Sequence, residues 1–169
     1  MSETQKSLHE FYETKVKDIM QSTKSDLPCI DETTDVATVF NTLNKKDHVW
    51  IVDSKEPTHL LGVITESDTI SLLAPPLTSL QSFDKPDIRS LQYEISLTAD
   101  EIMSKKPVSI SPDKKIRDVL LIMKEQKIKQ IAVVDINERF IGEISVRHLI
   151  QVYSKLHTEF IEKKKIEVS

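Results

Sequence analysis

The feature that most constrains the fold is an internal duplication. The chain has only two glycines, Gly62 and Gly142, and they stand eighty positions apart in the similar segments Leu60–Thr65 and Phe140–Ser145. At the same offset two apolar helix faces coincide: Val36, Val39, Phe40 and Leu43 with Ile116, Val119, Leu120 and Met123. Slips of two or three residues extend the match from residues 49–53 to 131–135 and from 18–20 to 101–103. Pro28-Cys29-Ile30 also aligns near Pro107-Val108-Ser109-Ile110. These five elements in the same order indicate a true repeat.

Each copy has the same order of elements. An opening segment ending in Ile-Met precedes a short strand, and a helix follows near Thr33 or Asp113, with the i, i+3, i+4, i+7 spacing of one buried face. Next come a continuous apolar strand, a turn, the strand with the glycine and a closing helix. A unit of about 60 residues buries little surface alone. The sequence therefore predicts an α/β (α+β) fold, with two β-α-β-β-α units packed as one pseudo-two-fold module.

The repeat sets the expected domain boundaries. We expect an N-terminal helical extension over residues 1–14, unit 1 over 15–73, a linker over 74–97, unit 2 over 98–155 and a C-terminal helical extension over 156–169. Within the linker, the pair Pro75-Pro76 ends the preceding helix, and residues 87–95 form either a short helix or part of a mobile segment.

Apolar stripes outlast the repeat at both ends of the chain. They are formed by Leu149, Tyr153, Leu156 and Phe160, and by Leu8, Tyr12, Val16 and Ile19. Such spacing is typical of amphipathic helices. We expect these helices to form a self-association surface and the chain to be a homodimer; packing against the chain's own units is the alternative.

Composition narrows the classes of function. The net charge of −4 does not favour binding to nucleic acid or to an anionic membrane. The single cysteine, Cys29, allows no internal disulfide and is most simply a small buried hydrophobe. His48, His59 and His148 lack the short spacings of a metal site, so we expect no metal.

The sequence lacks several motifs that would indicate export, a membrane span or catalysis. The first residues lack the basic and apolar regions of a secretory signal, and no apolar run approaches the roughly 20 residues of a membrane span. We therefore expect a cytoplasmic protein. No nucleophile elbow, P-loop, His-Glu-x-x-His or Gly-x-Gly-x-x-Gly motif is present, so we do not expect an enzyme.

Several short motifs, repeated in order, resemble a known family. They are the Ile-Met opening, Pro107-Val108, a strand ending in Val-Asp, and Gly-x-Ile-Thr/Ser followed three residues later by an acid. The chain resembles a tandem pair of cystathionine-β-synthase (CBS) domains, a Bateman module, over residues 15–73 and 98–155. The resemblance implies a regulatory sensor that acts on a partner protein not identified by the sequence. In this family AMP, ADP, ATP or S-adenosylmethionine binds in clefts between the units, and pairs form disc-like homodimers.

The resemblance also implies the ligand-binding residues. Thr65 and Asp68 match the family's hydroxyl-binding pair and head one cleft. The family's arrangement adds these further residues to that cleft: Val63, His48, Val49, Val108, Ile128 and Lys129. In the second copy Ser145 and Arg147 are followed by His148 where the acid should stand. Neutral imidazole offers one acceptor, so we expect the second cleft to bind ribose more weakly.

Simpler interpretations of the same residues remain open. Thr65 and Asp68 fit a capping box at a helix start, and a glycine in a strand marks close backbone approach with or without a ligand. Trp50 fills a core or stacks on a base. A protein whose clefts are closed by Trp50 and His148 would be a ligand-free scaffold acting through its dimer surface.

Overall fold

The computed structural model describes residues 1–75 and 97–169. Its helices and strands, in chain order, are α1 (Glu3–Glu13), α2 (Val16–Ile19), β1 (Gln21–Ser22), β2 (Cys29–Asp31), α3 (Val36–Leu43), β3 (His48–Val52), β4 (Leu60–Thr65), α4 (Glu66–Leu73), α5 (Ala99–Ile102), β5 (Ser104–Lys105), β6 (Ser109–Ile110), α6 (Ile116–Gln126), β7 (Gln130–Val134), β8 (Phe140–Ser145) and α7 (Val146–Val168). This order confirms the α+β fold with a duplicated β-α-β-β-α unit. The helix expected over 87–95 lies outside the described residues.

The strands form two sheets of the same design. One has the order β2-β3-β4-β5 and the other β1-β8-β7-β6. In each sheet a short strand, β2 or β6, runs parallel to the next strand along the chain, β3 or β7. The two long strands, β3 and β4 or β7 and β8, form an antiparallel hairpin. The hairpins share a register shift, between Ile51 and Val52 and between Val133 and Val134.

The opening segments are exchanged between the two copies. Strand β5, which opens the second copy, pairs with β4 of the first, and β1 pairs with β8 of the second. The chain accordingly separates into a central unit, Asp26–Pro107, and a terminal unit, Met1–Ser25 with Val108–Ser169. The boundaries 15–73 and 98–155 describe the sequence repeat and remain a prediction, because these packing units are defined by contact and include the exchanged strands.

The two glycines accept these exchanged segments. A Cβ atom on Gly62 would lie 2.5 Å from the Met103 sulfur and 2.8 Å from the Ser104 carbonyl oxygen. A Cβ atom on Gly142 would meet the Gln21 carbonyl oxygen. Because no side chain fits at either position, each glycine lets its strand pack directly against the Ile-Met segment of the other copy. Close backbone approach accounts for both glycines.

Each unit has its own aliphatic core. In the central unit the core residues are Val39, Val49, Ile51, Ile64, Leu72, Leu97, Ala99 and Ile102. In the terminal unit they are Phe11, Val16, Ile110, Ile116, Val119, Met123, Ile131, Val133, Ile144 and Leu149. Trp50 is also buried, with 1% of its surface exposed, and its ring centroid lies 5.6 Å from that of His48. Trp50 therefore fills interior space.

The N-terminal extension differs from the expected stripe. The helix is not continuous, since α1 ends at Glu13 and α2 begins only at Val16. The buried face of α1 carries Ser7 and Phe11, whereas Tyr12 is 38% exposed. The cause is packing against α7: the Phe11 and Tyr153 rings lie 5.4 Å apart, centroid to centroid. Part of the C-terminal stripe is thus covered by the same chain.

Cys29 is exposed, which corrects the expectation of a buried cysteine. It lies on β2, the edge strand of its sheet. Side chains alternate between the two faces of a strand. The neighbouring Ile30 packs against the core, so Cys29 points to the opposite side.

Candidate functional site

The predicted ligand pair lies where β4 passes into α4. Thr65 is the last residue of the strand and the N-cap of the helix. One carboxylate oxygen of Asp68, Oδ2, accepts hydrogen bonds from the Thr65 backbone N–H at 2.8 Å and from the Thr65 hydroxyl at 3.2 Å. The other, Oδ1, has a long contact of 3.5 Å with the Ser104 hydroxyl. The capping interaction is present, and it occupies one of the two carboxylate oxygens.

Strand β3 places further predicted residues beside this pair. In the antiparallel register His48 lies opposite Thr65, and Trp50 lies opposite Val63. Residues directly opposite each other share a face of the sheet, so these four side chains occupy one face. His48 is only 4% exposed, and its Nδ1 lies 2.6 Å from Oδ1 of Asp47.

Val49 lies on the opposite face of β3. Its side chain is fully buried in the core of the central unit. A ligand on the His48 face can therefore meet Val49 only through its main chain. The structure thus brings Thr65, Asp68, His48 and Val63 together, and the role of Val49 in ligand binding stays a prediction.

In the second copy His148 stands where the first copy has Asp68, and its side chain makes a structural contact. Ser145 caps α7 by accepting a 3.2 Å hydrogen bond from the His148 backbone N–H. The His148 ring donates from Nε2 to the carbonyl oxygen of Ile19 at 2.6 Å. Because a carbonyl only accepts, Nε2 carries the proton, and a neutral ring has Nδ1 as its one acceptor. Arg147 points into solvent.

The remaining predicted residues belong to the terminal unit. Val108 and Ile128 are half-buried against its core. The Val108 carbonyl accepts from the Ala132 N–H at 3.1 Å, and the Lys129 carbonyl accepts from the Val146 N–H at 2.8 Å. The Lys129 side chain is exposed. Among the described residues no carboxylate lies within ion-pair distance of it, so its ammonium group is available.

Sequence reasoning missed Ser104 as a neighbour of Asp68. Ser104 reaches the site because β5 pairs with β4, with Ser104 opposite Val63. A signal for this neighbour did exist, since Ser104 directly follows the Ile-Met segment and Gly62 has no side chain. Pairing these two features across the copies would have predicted the contact.

Residues 1–75 and 97–169 contain neither a candidate metal site nor a candidate membrane span. No group of three or more His, Cys, Asp or Glu side chains there could hold a metal ion. No helix in the same ranges is long and apolar enough to cross a bilayer.

A largely apolar groove lies in the terminal unit. It has a volume of about 440 Å³ and runs between α1 and α7 of the terminal unit, with Leu8, Tyr12, Leu120, Ile150 and Tyr153 among its walls. None of the predicted site residues lines it. This groove is therefore a separate feature of the molecule.

Two curated proteins are similar to most of the chain. A homoserine O-acetyltransferase of Methanosphaera stadtmanae is 26% identical over 141 residues, which cover 83% of this chain and 24% of that protein. An uncharacterised protein of Rickettsia prowazekii is 29% identical over 140 residues, covering 82% of this chain and 38% of that protein. The chain thus spans well under half the length of either relative.

Solved structures share the fold at low identity. CBSX2, solved in complex with AMP, has a TM-score of 0.66 at 18% identity, covering 84% of this chain and 97% of that one. The CBS domain of a bacterial CNNM/CorC-family Mg²⁺ transporter, solved with ATP, has a TM-score of 0.67 at 16% identity, covering 88% and 93%. The CBS pair of MJ0100, solved with 5′-methylthioadenosine and S-adenosyl-L-methionine, has a TM-score of 0.62 at 21% identity, covering 84% and 97%.

The family itself is decided by the match along the sequence. Residues 16–75 and 99–155 each match the CBS domain, and together they make up more than half of the chain. These two matches coincide with the two copies of the β-α-β-β-α unit. The chain belongs to the CBS domain family and contains a tandem pair of these domains.

Proposed function

We propose that the chain is a regulatory module that binds an adenosine-containing ligand at the site headed by Thr65 and Asp68, and that it catalyses no reaction. The observation that carries the proposal is the state of the Asp68 carboxylate. Its Oδ2 holds the start of α4, while its Oδ1 has, among the described residues, only the long contact with Ser104. That second oxygen is available to a ligand hydroxyl.

The chemistry of the site suits a nucleoside. An ionised carboxylate accepts strong hydrogen bonds from ribose hydroxyls. The dipole at the start of α4 favours a phosphate. Val63, which is half-buried on the same face of the sheet as Thr65, would give a base an apolar contact. Three relatives of the same fold were solved with AMP, with ATP, and with 5′-methylthioadenosine and S-adenosyl-L-methionine, which supports this class of ligand.

Among these ligands we favour one with a phosphate. Lys105 and Lys106 are exposed, and β5 carries Lys105 opposite Gly62 on the strand that leads to Thr65. An ammonium group attracts a phosphate and repels the sulfonium of S-adenosylmethionine. AMP, ADP or ATP should therefore bind more tightly.

We further propose that one site per chain does the binding. His148 stands where the second copy would need its acid, and its ring N–H is engaged by the Ile19 carbonyl. The imidazole cannot offer a vicinal diol the paired acceptors of a carboxylate. The regulated target would be another protein or another part of a longer chain, and the module would act in the cytoplasm.

Calorimetric titration with AMP, ATP and S-adenosylmethionine tests the proposal. Asp68→Asn removes the negative charge and replaces one of the two acceptor oxygens with an NH2 donor, so it weakens the capping box as well as the acceptor for a ligand. The chain provides a matched control, because Glu101 makes the same box with Thr98: its Oε2 accepts from the Thr98 N–H at 2.7 Å and from the hydroxyl at 3.3 Å. We expect Asp68→Asn to weaken nucleotide binding at least tenfold and Glu101→Gln to leave it unchanged.

The control separates the two interpretations of Asp68. If both substitutions weaken binding equally, general loss of helix capping explains the effect. If wild-type protein binds no adenosine compound, the module is a ligand-free scaffold that acts through its surface. That second function is favoured by the exposed apolar faces of the helices, and we propose that the chain self-associates as a homodimer whether or not a ligand is bound.

A further inference from the structure

The two antiparallel hairpins permit a position-by-position comparison of the two copies. Val63 directly follows the glycine of β4 and lies opposite Ser104 of the exchanged strand β5. Glu143 directly follows the glycine of β8 and lies opposite Gln21 of the exchanged strand β1. Glu143 therefore occupies in the terminal unit the position that Val63 occupies in the central unit.

Glu143 is buried on the face of the sheet that also carries Ser145, because side chains two positions apart on a strand point to the same side. It lies opposite Ala132 of β7. Glu143 is 3% exposed, and it is the one buried acidic residue in the part of the chain that the structure describes. Since a carboxylate is costly to bury, this residue is a specific feature of the face and not ordinary surface variation.

The carboxylate thus stands on different elements in the two copies. In the central unit it belongs to Asp68 at the start of the helix, and the strand position holds the apolar Val63. In the terminal unit the helix position holds His148, and the strand position holds the carboxylate of Glu143. The central unit therefore offers a nucleotide an acceptor for its hydroxyls beside an apolar strand, and the terminal unit offers neither.

A carboxylate at the strand position opposes a nucleotide in two ways. The base would pack on an ionised group where the central unit offers it a valine, and that group would lose polar contacts without a matching set of hydrogen bonds. A phosphate near the start of α7 would meet a like charge in a buried setting, where repulsion is weakly screened. Both effects are independent of the missing helix acid.

From this comparison we propose that Glu143 is a specificity-determining residue that excludes adenine nucleotides from the second copy. His148 removes an acceptor for the ribose, and Glu143 adds a barrier to the base and to the phosphate. The inference rests on the proposed binding mode at Thr65 and Asp68, and it explains the single site per chain by two residues instead of one. Replacing either residue alone creates no second site.

Site counting by calorimetric titration with AMP tests the proposal. His148→Asp and Glu143→Val, made singly and together, give the second copy the residues of the first. We expect one site per chain in the wild-type protein and in both single variants, and two sites in the double variant. Denaturant unfolding checks that each variant is folded, since His148→Asp also removes the hydrogen bond to Ile19.

The outcomes separate this inference from the proposed function. Two sites in either single variant, or one site in a folded double variant, would overturn the proposal for Glu143. If the wild-type protein binds no AMP and the double variant binds it once, the function proposed for Asp68 fails and the role of Glu143 stands. If neither protein binds AMP, both are wrong.

The reciprocal substitution tests the same charge in the first copy and does not require the double variant to fold. Val63→Glu places a carboxylate at the strand position, and Val63→Gln is the matched control of the same size without the charge. We expect Val63→Glu to raise the dissociation constant of AMP roughly tenfold more than Val63→Gln does. Equal weakening by the two substitutions would show that size and not charge matters, and it would overturn the proposal.

Discussion

His148 and Ile19 are joined by a 2.6 Å hydrogen bond from the imidazole Nε2 to the backbone carbonyl. The two residues are 129 positions apart in the sequence, and the bond connects the start of α7 to the opening segment of the chain. The residue that stands in the second copy where the first copy has Asp68 thus has a structural role.

The first prediction follows from this bond. His148→Ala should lower the free energy of unfolding by about 1–2 kcal/mol, because the half-buried Ile19 carbonyl loses its donor. Nucleotide affinity should be unchanged. Denaturant unfolding and titration calorimetry provide the two measurements, and Arg147→Ala, at the exposed neighbouring position, is the control. A large loss of affinity in His148→Ala would mean that the second cleft is the working site.

The second prediction concerns the stabilisation that a bound ligand gives. AMP at 100 times its dissociation constant should stabilise the fold by about 2.7 kcal/mol. For a chain of this size the melting temperature should rise by about 5–10 °C. Asp68→Ala should abolish most of that shift, because the ribose diol loses a charge-assisted acceptor. Calorimetry should find one site per chain, and two equal sites would contradict the assignment.

The third prediction concerns the glycines. Gly62→Ala and Gly142→Ala should each destabilise the fold by about 1–3 kcal/mol, as expected for overpacking. The Cβ atom of Gly142→Ala would meet the Gln21 backbone, which cannot rotate away as a side chain can. Shortening Met103 to Ala should rescue Gly62→Ala only in part, since the Ser104 carbonyl oxygen would still lie 2.8 Å away. Chemical denaturation of the single and double variants checks this. Full rescue would show that the backbone contact is unimportant.

The fourth prediction concerns the loss of stability at low pH. Backbone N–H groups hold the pKa of Asp135 below its usual value, with the Arg139 N–H the largest cause, and Asp53 is held low in the same way by Lys55. A group whose folded pKa is lowered adds stability above its unfolded pKa, near 3.9, and loses it as the pH falls through the folded value. The free energy of unfolding, measured from about pH 5 to pH 2, should therefore fall less steeply in Asp135→Asn than in the wild-type protein. An unchanged slope would contradict this origin.

The duplication and most elements could be predicted because local patterns determine them. The sequence shows the apolar spacing of α3 and α6 and the continuous apolar runs of β3 and β7. The turns before β4 and β8 were placed correctly for the same reason. Thr65 and Asp68 were correctly placed together because the capping pattern is itself local.

Other features depend on contacts between distant residues. Strands β1 and β5 have two residues each, too few to show a period, so their exchange between copies was not predicted. The stripe through Leu8 and Tyr12 gave no weight to Ser7, which the structure buries. Ser7 is buried because its hydroxyl lies 3.2 Å from Nδ1 of His157 on α7. Periodicity of apolar residues cannot reveal a buried serine.

The discontinuous make-up of the terminal unit has a consequence during synthesis on the ribosome. The central unit, Asp26–Pro107, is one uninterrupted stretch and can fold as soon as it emerges. Residues 1–25 emerge earlier, yet their partners in α6, β8 and α7 are translated last. At about 5–20 residues per second, these 25 residues wait several seconds for their partners. During that interval Phe11 and Val16 are unprotected, and a nascent chain paused after residue 107 should bind chaperones through this segment.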